Sequence, residues 1–178
     1  DPQGTSSRWL EKRPPDRPAV HGIAAYARTI GVTRSFQLRV PHGTDRVIVD
    51  TPAALQPPHF IEHVREADAV LVPSRFEPCG LTQMYGLRYG TLPVVSAVGG
   101  LADTVITANP AALSAGVATG ITFHPTDVPA FTIALRQLTA LYWDKPMWAK
   151  VQQRAMAQDV SWTASAAKYV ALYEGLRG

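Results

Sequence analysis

From residue 59 onward the chain alternates segments of helical spacing with short, unbroken apolar runs, and few architectures accept that order. "HFIEHVREA" (59–67) sets Phe60, Ile61 and Val64 at helical intervals. "DAVLVP" (68–73) then follows as the continuous apolar run of a strand buried on both faces. "LTQMYGLRYG" (81–90) reads as a helix closed by Gly90, "LPVVSA" (92–97) as a second buried strand, and "GLADTVI" (100–106) as the start of another helix after a glycine pair. Helix, strand, helix, strand, helix implies parallel strands joined by right-handed crossovers, with ligands held beyond the carboxyl ends of the strands. The expected fold is therefore α/β, a Rossmann-like parallel sheet with flanking helices.

The pattern continues to the end of the chain. A loop rich in alanine, glycine and asparagine (about 108–120) leads to "GITFH" (120–124), one more short strand. The remainder is helical. Thr126 or Asp127 caps a helix with Pro129 in its first turn and Phe131, Leu135, Leu138 and Tyr142 along one face. Asp144 and Pro146 open a second helix. Ser161 caps a third, with Trp162, Ala166, Tyr169, Tyr173 and Leu176 as its apolar stripe.

Residues 1–58 read differently. They carry eight of the fifteen prolines, and "EKRPPDRP" and "TPAALQPP" are expected as turns or extended linkers. "VHGIAAYARTIGV" (20–32) fits a short helix with Ile23, Ala27 and Ile30 on one side, while "SFQLRVPHG" (35–43) and "DRVIVDTP" (45–52) alternate as short strands do. The chain thus divides into a segment 1–58 and a Rossmann-like domain 59–178 with its closing helices.

Composition narrows the function classes. With 178 residues and 46% hydrophobic content the chain can bury a core. No apolar run reaches the roughly 18 residues a membrane span needs, no secretory leader is visible, and a single cysteine forms no internal disulfide, so a cytoplasmic location is expected. The net charge of +3 is spread along the sequence rather than gathered in a basic block, which argues against nucleic acid as a partner. His59 and His63 stand four residues apart, yet no further ligand lies at metal-site spacing beside them.

Two loops follow the predicted buried strands, "PSRFEPCG" (73–80) and "SAVGG" (96–100). In the first, Pro78 and Gly80 shape a tight turn that presents the amides of Cys79, Gly80, Leu81 and Thr82 at a helix N-terminus. Unpaired amides and the positive end of a helix dipole hold phosphate or sugar oxygens without a dedicated side chain. Arg75 adds a cation and Glu77 an acceptor for hydroxyl groups. In the second loop, Gly99 and Gly100 allow a ligand to approach the backbone. Taken singly, each has a structural explanation: a solvated carboxylate, a surface cation, a small packing thiol, a plain turn. Their concentration after two neighbouring strands favours a site. A nucleophilic role for Cys79 finds no neighbouring histidine as base.

The string "ADAVLVPSRFEPCGLTQMYGLRYGTLPVVSAVGGLADTV" (67–105) closely resembles the donor-binding region of bacterial glycogen synthases and plant starch synthases. "YWDKPMWAKVQQRAMAQDVSWTASAAKYVALYEGLR" (142–177) resembles the closing helices of the bacterial enzymes. The resemblance covers about residues 59–178. It implies the C-terminal half of a GT-B glycosyltransferase, whose two Rossmann-like domains face a cleft. It also implies the reaction: retaining transfer of glucose from ADP-glucose to the nonreducing end of an α-1,4-glucan, with no metal and no cofactor beyond the donor. Glu77 is then the catalytic-site carboxylate on the donor glucose hydroxyls. Pro78, Cys79, Gly80, Leu81 and Thr82 would hold glucose and the distal phosphate; Gln83 and Tyr85 would lie at the donor on the first turns of the helix, Tyr85 approaching the nucleotide ribose or packing; and Gly99, Gly100 and Leu101 would line the floor.

The first 58 residues do not match the family. The acceptor-side N-terminal domain, the diphosphate-binding arginine and lysine segment and the adenine-stacking aromatic have no counterpart here. "ALQPPHF" stands where the aromatic is expected, and "SSRWLEKR" has the wrong spacing for the basic segment. The resemblance therefore implies an incomplete portion that needs an N-terminal domain. A non-catalytic nucleotide-sugar-binding module and an inactive remnant are the alternatives.

Overall fold

The structure, a computed structural model, describes residues 4–23, 40–51 and 55–177. It divides into two compact units, Asp1–His59 and Phe60–Gly178.

In the first unit the described residues form one short helix, α1 (Thr5–Glu11), with no buried residue; the sequence reading had no helix here. Arg13 lies 5.3 Å over the Trp9 ring, and the Ser6 hydroxyl donates to the Asp50 carboxylate at 2.5 Å. Residues 45–51, expected as a strand, are irregular, and Ile48 is 85% exposed. Their alternation supplies one apolar edge, but no neighbouring strand is present among the described residues to complete a ladder. The expected helix over 20–32 and strand over 35–43 fall largely outside the described residues.

The second unit is the predicted alternation. Helix α2 (Pro57–Glu66) starts two residues earlier than the sequence spacing suggests, because two prolines are tolerated in a first turn whose N–H groups have no helical partner. It leads to β1 (Ala69–Val72), α3 (Thr82–Tyr89), β2 (Leu92–Ser96) and α4 (Gly99–Thr104). Then come α5 (Pro110–Ser114), β3 (Ile121–Phe123), α6 (Val128–Trp143), α7 (Lys145–Met156) and α8 (Trp162–Gly175). The strands form one parallel sheet in the order β1-β2-β3, with Val72 opposite Val95 and Val95 opposite Thr122.

The central strand explains its own composition. Every residue of β2 is buried, and alternate side chains serve opposite faces. Leu92 packs with Leu87 and with Trp148, Val151 and Ala155 of α7; Val94 packs with Ile121, Phe123 and Ala134 of α6. Val95 points the other way, onto Leu101 and Val105. Pro93 is tolerated inside a central strand because Leu92 N–H bonds to Asp68 O, leaving the Pro93 backbone on the β3 side, where pairing begins only at Val94.

The helix ends follow the expected chemistry. Asp127 accepts from Ala130 N–H, Asp144 from Met147 N–H and Ser161 from Ala164 N–H, each opening one of the last three helices. Hydrogen bonds from the Ser161 side chain and backbone hold the Asp159 carboxyl below its ordinary pKa. The stretch 108–120 departs from expectation: it is not all loop. Asn109 caps α5 through Ala112 N–H, with Pro110 in the first turn and Ala112 buried in the core. Helix α8 buries none of its residues, and Trp162 (81% exposed), Tyr169 and Tyr173 stand in solvent.

Candidate functional site

The loops after β1 and β2 leave the same end of the sheet and meet. Gly100 N–H donates to Glu77 O at 3.3 Å, so the two loops share a backbone hydrogen bond. A Cβ on Gly99 would overlap the Glu77 carbonyl, and one on Gly100 the Cys79 carbonyl; only glycine permits this approach. Gly99 also sits at φ +44, in the left-handed region. The glycine pair thus fits one loop against the other.

Side chains tie this junction down. Ser96, buried at the end of β2, donates to Ser74 O and lies 3.5 Å from Val72 O. Gln83, with 0% exposure, directs Nε2 to Cys79 O (3.1 Å), Gly80 O (3.0 Å) and Thr104 Oγ1 (3.1 Å). Thr104 Oγ1 in turn donates to Gly100 O at 2.6 Å. Gln83 Oε1 is buried with no partner among the described residues, a state that costs about 1–3 kcal/mol. Three acceptors around the other end of the amide decide its orientation, since a flip would point oxygen at oxygen.

What remains open to solvent is the turn itself. Gly80 adopts φ +70, and α3 begins after Leu81 without any side-chain cap. Among the described residues no protein acceptor faces the N–H groups of Cys79, Gly80, Leu81 or Thr82. Cys79 is an exposed free thiol and Leu81 is 59% exposed, so these donors lie at an accessible helix N-terminus. Glu77 is half-buried beside them and Arg75 is exposed. Pro78 is exposed and Thr82 half-buried at the start of α3.

Two predicted residues have other engagements. Gln83 is buried under the turn, and Tyr85 packs edge-on against Phe60 of α2, ring centroids 5.8 Å apart. Ser96 and Thr104 were not anticipated. A serine ending an apolar strand is a faint signal for the first, whereas nothing in the sequence links Thr104 to Gln83, 21 positions away. Among the described residues no group of three His, Cys, Asp or Glu side chains is placed to hold a metal ion. No helix among them is long and apolar enough to cross a membrane.

No protein-family model matches the chain. Individual proteins do. Over 109 residues, 61% of this chain, it is 69% identical to the glycogen synthase of Cereibacter sphaeroides, corresponding to the C-terminal part of that protein. The resemblance is to glycogen synthases. The Acidiphilium cryptum glycogen synthase is 61% identical over 110 residues, and glycogen synthase 1 of Rhizobium meliloti 54% over the same length. The chain spans about a quarter of the length of these relatives, 23% in each case. Among solved structures, the catalytic domain of starch synthase IV from Arabidopsis thaliana, bound to ADP and acarbose, superposes with a TM-score of 0.54 at 36% identity. That match covers 60% of this chain and 22% of the other. The parallel sheet with flanking helices is accordingly similar to the corresponding part of that starch synthase, as the sequence implied.

Proposed function

We propose that this chain is the donor-binding portion of a glycogen synthase, a hexosyltransferase that moves glucose from ADP-glucose to the nonreducing end of an α-1,4-glucan with retention. One observation carries the reading: four backbone amides without protein acceptors among the described residues, at Cys79 to Thr82, stand at an open helix N-terminus beside the Glu77 carboxylate. The 69% identity to a glycogen synthase and the likeness to an ADP-bound starch synthase support it.

Transfer with retention develops positive charge on the sugar and negative charge on the departing diphosphate. Amides fixed at a helix N-terminus stabilise the second without having to reorganise. Glu77 orients glucose hydroxyls and favours the cationic sugar; it is not cast as a nucleophile. Arg75 adds positive charge near the donor. Pro78 keeps the turn rigid, while Gly99 and Gly100 form the floor. No cofactor or metal is assigned beyond the ADP-glucose donor. The glucan-facing wall belongs to an N-terminal domain that closes the cleft in the cytoplasm.

Calorimetric titration of the chain with ADP and ADP-glucose tests the reading, with glycogen elongation assayed with and without an added N-terminal domain. ADP-glucose binding without turnover is expected, at least tenfold weaker in Glu77→Ala, and elongation only after the second domain is supplied. Binding of neither ligand by the folded chain would overturn the proposal in favour of an inactive remnant.

A further inference from the structure

We propose that Gln83 and Thr104 are positioning residues that act as a single buckle, aiming the donor-loop amides outward and locking the two ligand loops into one unit. The proposal rests on the donor-site reading above and assigns its internal support. Neither residue touches ligand in this role: Gln83 is fully buried and Thr104 faces it from α4.

The geometry follows from peptide planarity. In a trans peptide the carbonyl and the next N–H point in opposite directions. Gln83 Nε2 draws the Cys79 and Gly80 carbonyls inward, at 3.1 and 3.0 Å. The N–H groups of Gly80 and Leu81 must then face away from the buried amide, toward solvent. Their availability as donors is thus set by a side chain beneath them.

The same amide reaches the second loop. Gln83 donates to Thr104 Oγ1, which donates to Gly100 O, and Gly100 N–H returns to Glu77 O. The circuit runs from the turn through α3 and α4 and back to the peptide of the candidate catalytic carboxylate. Threonine can relay it because one hydroxyl both accepts and donates; valine, of equal shape, can do neither. Hydrogen bonds in such a chain polarise one another, so removing one link is expected to weaken the others.

The test pairs a ligand-free measurement with a titration, both on this chain. Thr104→Val should speed hydrogen exchange at the Gly100 amide about tenfold, leave Val94 and Val95 protected, and weaken ADP binding about tenfold with little change in the unfolding midpoint. Thr104→Ser, which keeps the hydroxyl, should restore both readouts to within about twofold. Gln83→Met should mimic Thr104→Val, and the double variant should lose no more than the worse single one, as coupled residues do. If Thr104→Val binds ADP as tightly as the parent with unaltered exchange at Gly100, the buckle is refuted while the donor site stands. If the parent chain itself binds no ADP, the donor-site reading fails first and takes the positioning role with it.

Discussion

At the scale of single residues, the site is built from backbone, and its side chains mostly shape that backbone. Gly99 shows this most directly. Its φ of +44 and the Glu77 carbonyl facing its Cα exclude any larger residue without movement of a loop. Gly99→Ala should cost about 2 kcal/mol of stability, from left-handed strain and overlap together, measured by urea unfolding. A loss under about 0.5 kcal/mol would mean that the two loops do not fit as described. The glycine pair and the EPCG turn were legible in the sequence because glycine and proline act through their own backbone. The bonds of Gln83 were not, since its partners lie at Cys79, Gly80 and Thr104, on two different loops.

At the scale of elements, legibility followed length and burial. The strand over 92–96 was readable because burial leaves no polar position inside it except the terminal serine; 69–72 was readable from its unbroken apolar run, but as an edge strand it is only half-buried, with Leu71 39% exposed, and not buried on both faces as expected. The long helices α6 and α7 were readable from their aspartate caps and early prolines. Helix α5 was not, since five residues span little more than one turn and show no period, although Asn109 before Pro110 was a usable signal. Packing between elements centres on Trp148 of α7, 6% exposed and edge-on to Tyr142 at 5.1 Å. It joins α7 to Leu87 of α3 and Leu92 of β2. Trp148→Ala should therefore destabilise the fold by about 3–5 kcal/mol, measured by chemical denaturation. A change below about 1 kcal/mol would show that α7 is an appendage and not part of the core.

At the scale of the whole molecule, α8 is the feature without internal explanation. Its apolar residues follow helical spacing, yet Trp162, Leu172, Tyr173 and Leu176 are each more than half exposed. The chain should therefore bind a hydrophobic dye and associate as its concentration rises. Ending it at residue 160 should suppress both while leaving the unfolding midpoint within a few degrees. Unchanged dye binding in the shortened chain would place the sticky surface elsewhere.

The sequence by itself determined the order of strands and of every helix but α5 after residue 59, the parallel sheet that order demands, and the two loops at its carboxyl edge. Hydrophobic period, caps and glycine conformations are local properties, and a linear reading captures them. Tertiary structure decided that residues 45–51 stay irregular, that Tyr85 packs on Phe60, and that Gln83 and Thr104 clasp the two loops. Each depends on a partner distant in the chain, and a hydrogen bond or a ring contact acts only once folding has brought both groups within a few ångströms.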